Sequence, residues 1–168
     1  MEKPDRDFRE QCNLLLDLLE REVDLYNDLL SFSKRKQGAL IIMDARDLQK
    51  ALSDVEVVVD EIRESVEERL AILADLEACL GLPRGTANFK HVVDSGGPEL
   101  QERYGRITKT LAPTLERLAL INGGNMALVK NILDYFDFAA QTLACRNPVN
   151  TYTVRKGGRP DVFHISRA

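Results

Sequence analysis

Across residues 44–80 the side chains Leu48, Leu52, Val55, Val59, Ile62, Val66, Leu73, Leu76 and Leu80 recur in alternating steps of four and three, with only Arg69 interrupting the row. A strand alternates with a period of two and cannot give this spacing. A helix of about 3.6 residues per turn puts the whole row on one side, and the near-heptad repeat suits a helix packed lengthwise against another. Asp44 is placed as its N-cap, with Asp47 three residues on where a capping-box acid would sit. Gly81-Leu82-Pro83 ends it: glycine suits a left-handed C-cap, leucine folds back on the last turn, and proline cannot continue.

A similar row precedes it. Pro4 and Asp5 suit a first helical turn, and Phe8, Cys12, Leu15, Leu19, Val23, Tyr26, Leu30 and Ser33 follow on one face. Lys34, Arg35 and Lys36 read as cations at the negative helix pole, with a binding patch as the alternative, and Gly38 marks the stop. The short apolar link at residues 38–43 then predicts an antiparallel hairpin with the link tucked against it. Residues 84–97 read as a loop holding at most one or two helical turns. A further helix opens at Gly97-Pro98-Glu99, with Glu99–Arg103 and Glu102–Arg106 spaced as i,i+4 pairs and Leu100, Tyr104, Ile107, Leu111, Leu115, Leu118 and Ile121 as its core stripe. Pro113 should kink it, and Asn122-Gly123-Gly124-Asn125 should weaken or break it.

The last helical stretch, residues 126–145, is apolar over much of its circumference. Leu128, Ile132, Tyr135, Ala139 and Thr142 share one stripe, Val129, Leu133, Phe136, Ala140 and Leu143 the next, and Phe138 points elsewhere again. Such a helix is either central in a bundle or faces another protein. Periodicity ends after Asn147-Pro148. Residues 146–168 carry a net charge of +4, against −8 for the remaining 145 residues, which reads as a basic arm on an acidic helical body. A frayed terminus, or two short strands packed on the body, are the alternatives. The expected architecture is all-α: an elongated antiparallel bundle of long helices, with a coiled-coil-like hairpin, kinked C-terminal helices and an irregular tail. Residues 1–147 form the bundle domain in this reading and 148–168 a flexible basic arm.

Composition narrows function. At 168 residues the chain is one domain's worth, and 44% hydrophobic with 30% charged residues suits a soluble helical protein. No apolar run approaches the roughly 18 residues of a membrane span, and residues 1–10 lack the apolar core of a signal peptide. Cys12, Cys79 and Cys145 are widely separated and read as small core hydrophobes in a reducing cytosol. His91 and His164 lack partners at metal-ligand spacing, and His91 reads as a packing or surface histidine. No phosphate-cradling glycine loop or nucleophile elbow is present. The acidic balance, net −4, argues against nucleic acid as a partner. The expectation is a non-enzyme with no cofactor or metal and no stable membrane insertion.

Several segments resemble one known family in order along the chain. Leu18-Leu19-Glu20-Arg21-Glu22-Val23 with Tyr26 and Leu29-Leu30, then Lys36-Gln37-Gly38-Ala39-Leu40-Ile41, are similar to the first helix and following turn of FlgN-type flagellar export chaperones. Asp44, Leu48 and Leu52, leading through Glu56 to Glu68-Arg69, resemble the family's second helix. Asn125-Met126-Ala127-Leu128-Val129 with Ile132-Leu133 resembles the opening of its final helix, and Thr151-Tyr152 with Gly157 the segment after it. The resemblance implies a cytoplasmic chaperone that binds the C-terminal segments of hook-associated, hook-filament junction proteins, prevents premature assembly and delivers them to the flagellar export gate. Leu128, Ile132, Tyr135, Phe136, Phe138 and Leu143 are the candidate client-binding residues. By the resemblance Tyr152 docks on the cytoplasmic domain of the gate, and Arg155 and Lys156 beside it would steer the approach. A monomer or weak homodimer is expected. The competing reading is a helical scaffold or coiled-coil oligomerisation adaptor that self-associates through the seam of residues 44–80.

Overall fold

The computed structural model describes residues 6–86, 89–146, 153–156 and 159–162, with side chains for 6–86, 89–90 and 92–142. Its elements are α1 (Arg6–Ile42), α2 (Ala45–Cys79), α3 (Phe89–Gly96), α4 (Pro98–Arg146), β1 (Thr153–Lys156) and β2 (Arg159–Val162). The all-α architecture expected from the spacing is present. Contacts divide the chain into two units, Met1–Leu128 and Val129–Ala168. The first holds α1 to α3 and most of α4. The second holds the rest of α4 and the strand pair, antiparallel with Thr153 opposite Val162 and Lys156 opposite Arg159. Pro4, Asp5, Asn147-Pro148, Thr151-Tyr152, Gly157 and His164, and the side chains of His91 and Cys145, lie outside the described residues.

α1 and α2 form the antiparallel hairpin. Glu22 meets Ser65 and Arg69, while Arg35 meets Asp47 and Asp54, so partners on α2 fall as those on α1 rise. The turn differs from the expected one. α1 runs through Gly38 to Ile42, because a glycine inside a helix costs only about 1 kcal/mol relative to alanine and the buried Ala39 and Leu40 hold the next turn in place. The helix stops at Met43, whose φ of 54° is left-handed. There the Met43 amide donates to Leu40 O (3.4 Å) and the Asp44 amide to Ala39 O (3.0 Å), a Schellman closure with methionine in the usual glycine place. Asp44 is also the N-cap of α2, its Oδ1 accepting from the Arg46 and Asp47 amides at 3.0 Å. Ala39 and Leu40 are buried, whereas Ile41, Ile42 and Met43 are exposed, so only part of the link is tucked in.

Two charge assignments change with this geometry. Lys34, Arg35 and Lys36 lie before the last turn of α1 and do not cap it. Arg35 instead reaches across to α2, where its Nε donates to Asp47 (2.9 Å) and its Nη1 to Asp54 (3.2 Å). Asp47 is therefore an ion-pair partner rather than a capping-box acid. At the far end α2 closes as the sequence indicated: Gly81 has φ 66°, and Leu82 N donates to Glu77 O at 2.9 Å.

The buried row of α2 is rotated from the expected one. Ala51, Val58, Ile62, Ser65 and Leu76 are buried, while Leu52 is exposed and Val59, Val66 and Leu73 are half-buried. Small residues at 51 and 65 admit the side chains of α1, and the bulkier neighbours flank the contact. The row thus faces α1 within the chain.

α1 is the central helix of its unit. Besides the expected stripe it buries Leu16, Leu18, Leu25 and Leu29, because α2 and α4 both pack on it. Leu15 and Leu16 have no exposed surface, each worth about 1.5–3 kcal/mol of apolar burial. Cys12 is buried with them; Cys79 is exposed, contrary to its expected core place. α3 supplies Val92 and Val93 to the same cluster as Leu100 and Ile107 of α4. α4 continues through Pro113 and Gly123-Gly124 as one helix of 49 residues, so the expected break is absent. Glu102–Arg106 pair as expected (3.1 Å), but Arg103 leaves Glu99 for Asp17 and Glu20 on α1. Leu115 is exposed and Thr114 takes its place in the buried row.

Two substitutions test these contacts. Met43→Gly removes a side chain from a left-handed position and should stabilise the chain by roughly 0.5–1 kcal/mol, read as a higher urea midpoint. The Glu20 carboxyl is held below its ordinary range by hydrogen bonds from Arg103, partly opposed by burial. A depressed acid contributes stability that is complete above the unfolded glutamate pKa of about 4.3 and is lost as pH falls through the folded value. Arg103→Met should therefore flatten the acid limb of a melting-temperature profile and leave the slope near pH 7 unchanged.

Candidate functional site

α4 is fastened along α1 at successive levels. Arg103 donates to Glu20 (2.8 and 2.7 Å) and Asp17 (2.5 Å), the Thr114 hydroxyl lies 3.1 Å from Asn27 Oδ1, and Asn125 Nδ2 donates to the Ser33 carbonyl at 3.0 Å. Both members of each pair advance along the chain, so α4 runs parallel to α1 here. Gly124 belongs to the same contact: a Cβ there would sit 3.1 Å from Gln37 Nε2. Glycine costs a helix about 1 kcal/mol relative to alanine. At this position it lets the two helices approach, and the buried Asn125 bond holds them.

The row that packs on α1 keeps its phase through this point. Leu100, Tyr104, Ile107, Leu111, Thr114, Leu118, Ile121 and Asn125 lead in steps of four and three to Leu128, Ile132, Tyr135 and Ala139. Burial does not follow. Beyond Asn125 no described side chain of α4 is buried. Leu128, Ile132 and Ala139 are half-buried, while Tyr135, Phe136 and Phe138 are 62, 57 and 67% exposed. Tyr135 and Phe136 meet edge to face with ring centroids 6.0 Å apart. The helix places Leu143, but its side chain lies outside the described residues.

α4 also exposes apolar groups outside the candidate client-binding set. Leu120, Met126, Val129 and Leu133 are exposed as well. The signal was the apolar character of residues 126–145 on every side, which selects no single stripe. Single exposed apolar residues are ordinary on a helix, and large aromatics left in water at this density are not. Of the proposed docking residues, Tyr152 lies outside the described residues. Arg155 and Lys156 are placed only by backbone, in β1 opposite Pro160 and Arg159.

Other chemistry is sparse. Among the described residues no group of three or more His, Cys, Asp or Glu is placed to hold a metal ion. Burial, with Cys79 nearby, pushes the Cys12 thiol up to about 11, so it stays protonated and unreactive at neutral pH. A hollow of about 280 Å³ is lined by Glu20, Val23, Asp24, Arg106, Ile107 and Thr110, but Glu20 and Arg106 are already engaged with Arg103 and Glu102. No described helix is long and apolar enough to cross a membrane.

Phe138→Asp should change the unfolding free energy by no more than about 0.5 kcal/mol, as at an exposed site. Leu15→Ala should cost about 2–5 kcal/mol, and chemical denaturation of both variants separates surface from core.

No curated protein and no solved structure matches the chain. A family model described as FlgN protein matches residues 11–159, from the first turns of α1 into β2, which is most of the chain. The chain therefore belongs to the FlgN family of flagellar chaperones.

Proposed function

We propose that this chain is a cytoplasmic flagellar export chaperone that captures the C-terminal segments of hook-associated junction proteins on α4 and hands them to the export gate. The observation that carries this reading is the run of exposed apolar side chains after Asn125 in a member of the FlgN family. A client segment that is amphipathic and helical could lay its apolar face on Leu128, Ile132, Tyr135, Phe136, Phe138 and Leu143, in the manner of helix-on-helix recognition. Covering aromatic side chains is the largest favourable contribution available to such a contact, because each ring removes much apolar area from water. Tyr152 is the proposed gate contact, its phenol offering an apolar body with one polar tip. Arg155 and Lys156 would steer it toward an acidic surface. No step of bond chemistry is required, and the protein works as a monomer or weak homodimer.

Size-exclusion chromatography with light scattering, using a hook-filament junction protein from the same cell, tests the reading. A stoichiometric complex is expected, and it should disappear when the client's C-terminal segment is deleted. Absence of any complex, with a stable homodimer in its place, would overturn the chaperone assignment. Tyr152→Ala should reduce export while leaving client capture intact; equal loss of both would remove the gate role from Tyr152.

A further inference from the structure

The turn between α1 and α2 carries a second run of exposed apolar side chains. Ile41, Ile42 and Met43 are 64, 72 and 59% exposed, and they are consecutive. Single exposed apolar residues are ordinary, but three large ones in a row at the end of a helical hairpin are not. Their exposure is built in. The Schellman closure holds Met43 at φ 54°, a conformation disfavoured for a side chain, and carries α1 one turn past Gly38, ending with Ile41 and Ile42 in water.

The charge around this tip is unlike that of the chain. Residues 34–50 hold Lys34, Arg35, Lys36, Arg46 and Lys50 against Asp44 and Asp47, a net of +3 in a protein of net −4. Asp44 accepts two amides of α2, and Arg35 is itself paired with Asp47 and with Asp54 just beyond this stretch, so the excess positive charge rests on Lys34, Lys36, Arg46 and Lys50. Lys34, Arg46 and Lys50 are exposed. An apolar point inside a cationic rim has the chemistry of a peripheral lipid contact, in which apolar side chains enter the headgroup boundary and cations meet anionic headgroups. A second copy of the chain fits less well, since a tip-to-tip contact would bring two +3 ends together.

We propose that the α1–α2 tip is a reversible docking point for the surface of an anionic bilayer, with Ile41, Ile42 and Met43 as the inserted groups and Lys34, Arg46 and Lys50 as the headgroup contacts. This goes beyond the export reading and stands without it.

Co-sedimentation of the full chain with phosphatidylglycerol-containing vesicles, and with vesicles of phosphatidylcholine alone, is the test. Binding is expected to the first and not the second, and it should weaken as salt is raised. Ile41→Gln with Ile42→Gln should lower binding about tenfold or more. Arg46→Gln with Lys50→Gln should do the same, at roughly fivefold for each lost cation. The second pair keeps the test decisive if the first fails to fold, and matching thermal melts identify variants that remain folded. Leu70→Ser, an exposed apolar site toward the other end of α2, should leave vesicle binding unchanged. The proposal is overturned if anionic vesicles do not bind, if folded tip variants bind as the parent does, or if Leu70→Ser abolishes binding. It is also overturned if light scattering without lipid shows a parent dimer that the isoleucine variant converts to monomer, which would assign the tip to self-association.

Discussion

A carboxylate with only 1% of its surface exposed lies in the seam between the two hairpin helices, and the neighbouring elements are arranged around its neutralisation. Glu22 Oε1 accepts from the Ser65 hydroxyl and Oε2 from Arg69 Nη1, both at 3.1 Å. Desolvating an ion is costly, and a paired buried charge is tolerated only when its partners are well placed. Arg69 in turn sits 5.4 Å from the centre of the Phe89 ring on α3, and Phe89 stacks on Tyr104 of α4 at 6.4 Å. One ion pair thereby ties the hairpin's register to the placement of α3 and the start of α4. Apolar contacts tolerate a slipped register far better than this pair does.

That arrangement explains what the sequence revealed and what it concealed. The four-three spacing identified the helices and the hairpin, and Gly81 and Asp44 marked true boundaries. The rotated seam of α2 was hidden because its buried row mixes small residues, Ala51 and Ser65, with Val58, Ile62 and Leu76, and so shows no unbroken apolar period. Arg69 looked like a flaw in an apolar row because its partner, Glu22, lies 47 residues away. Gly38 and Gly123-Gly124 suggested breaks, yet glycine lowers helix stability only modestly, and packing on α1 outweighs that cost at Gly124. Arg103 followed the same logic, exchanging a local partner at i−4 for two acids on another helix.

The aromatic surface of α4 was legible for a different reason. Nothing in a soluble helix requires Tyr135, Phe136 and Phe138 to point in different directions, so their spacing alone sets the segment apart. Which of them acts was not legible, because an apolar stripe on a central helix and one on a contact surface have the same spacing. Their exposure shows that these rings do not pack inside the described bundle. The same ambiguity concealed α1: its stripe looked ordinary, while its flanking leucines, Leu16, Leu18, Leu25 and Leu29, made it the helix packed on both sides.

Asp44 belongs to two helices at once, as the residue that completes the Schellman closure of α1 and as the N-cap of α2. The junction therefore has no slack, and its length is a phase setting. One added residue would turn α2 by about 100° about its axis. Ser65 and Arg69 would swing away from Glu22, and Lys50, Glu61 and Glu64 would take the buried places of Ala51, Ile62 and Ser65. An insertion or deletion in this turn therefore resets the whole contact of α2 with α1, even though the turn is a surface connection.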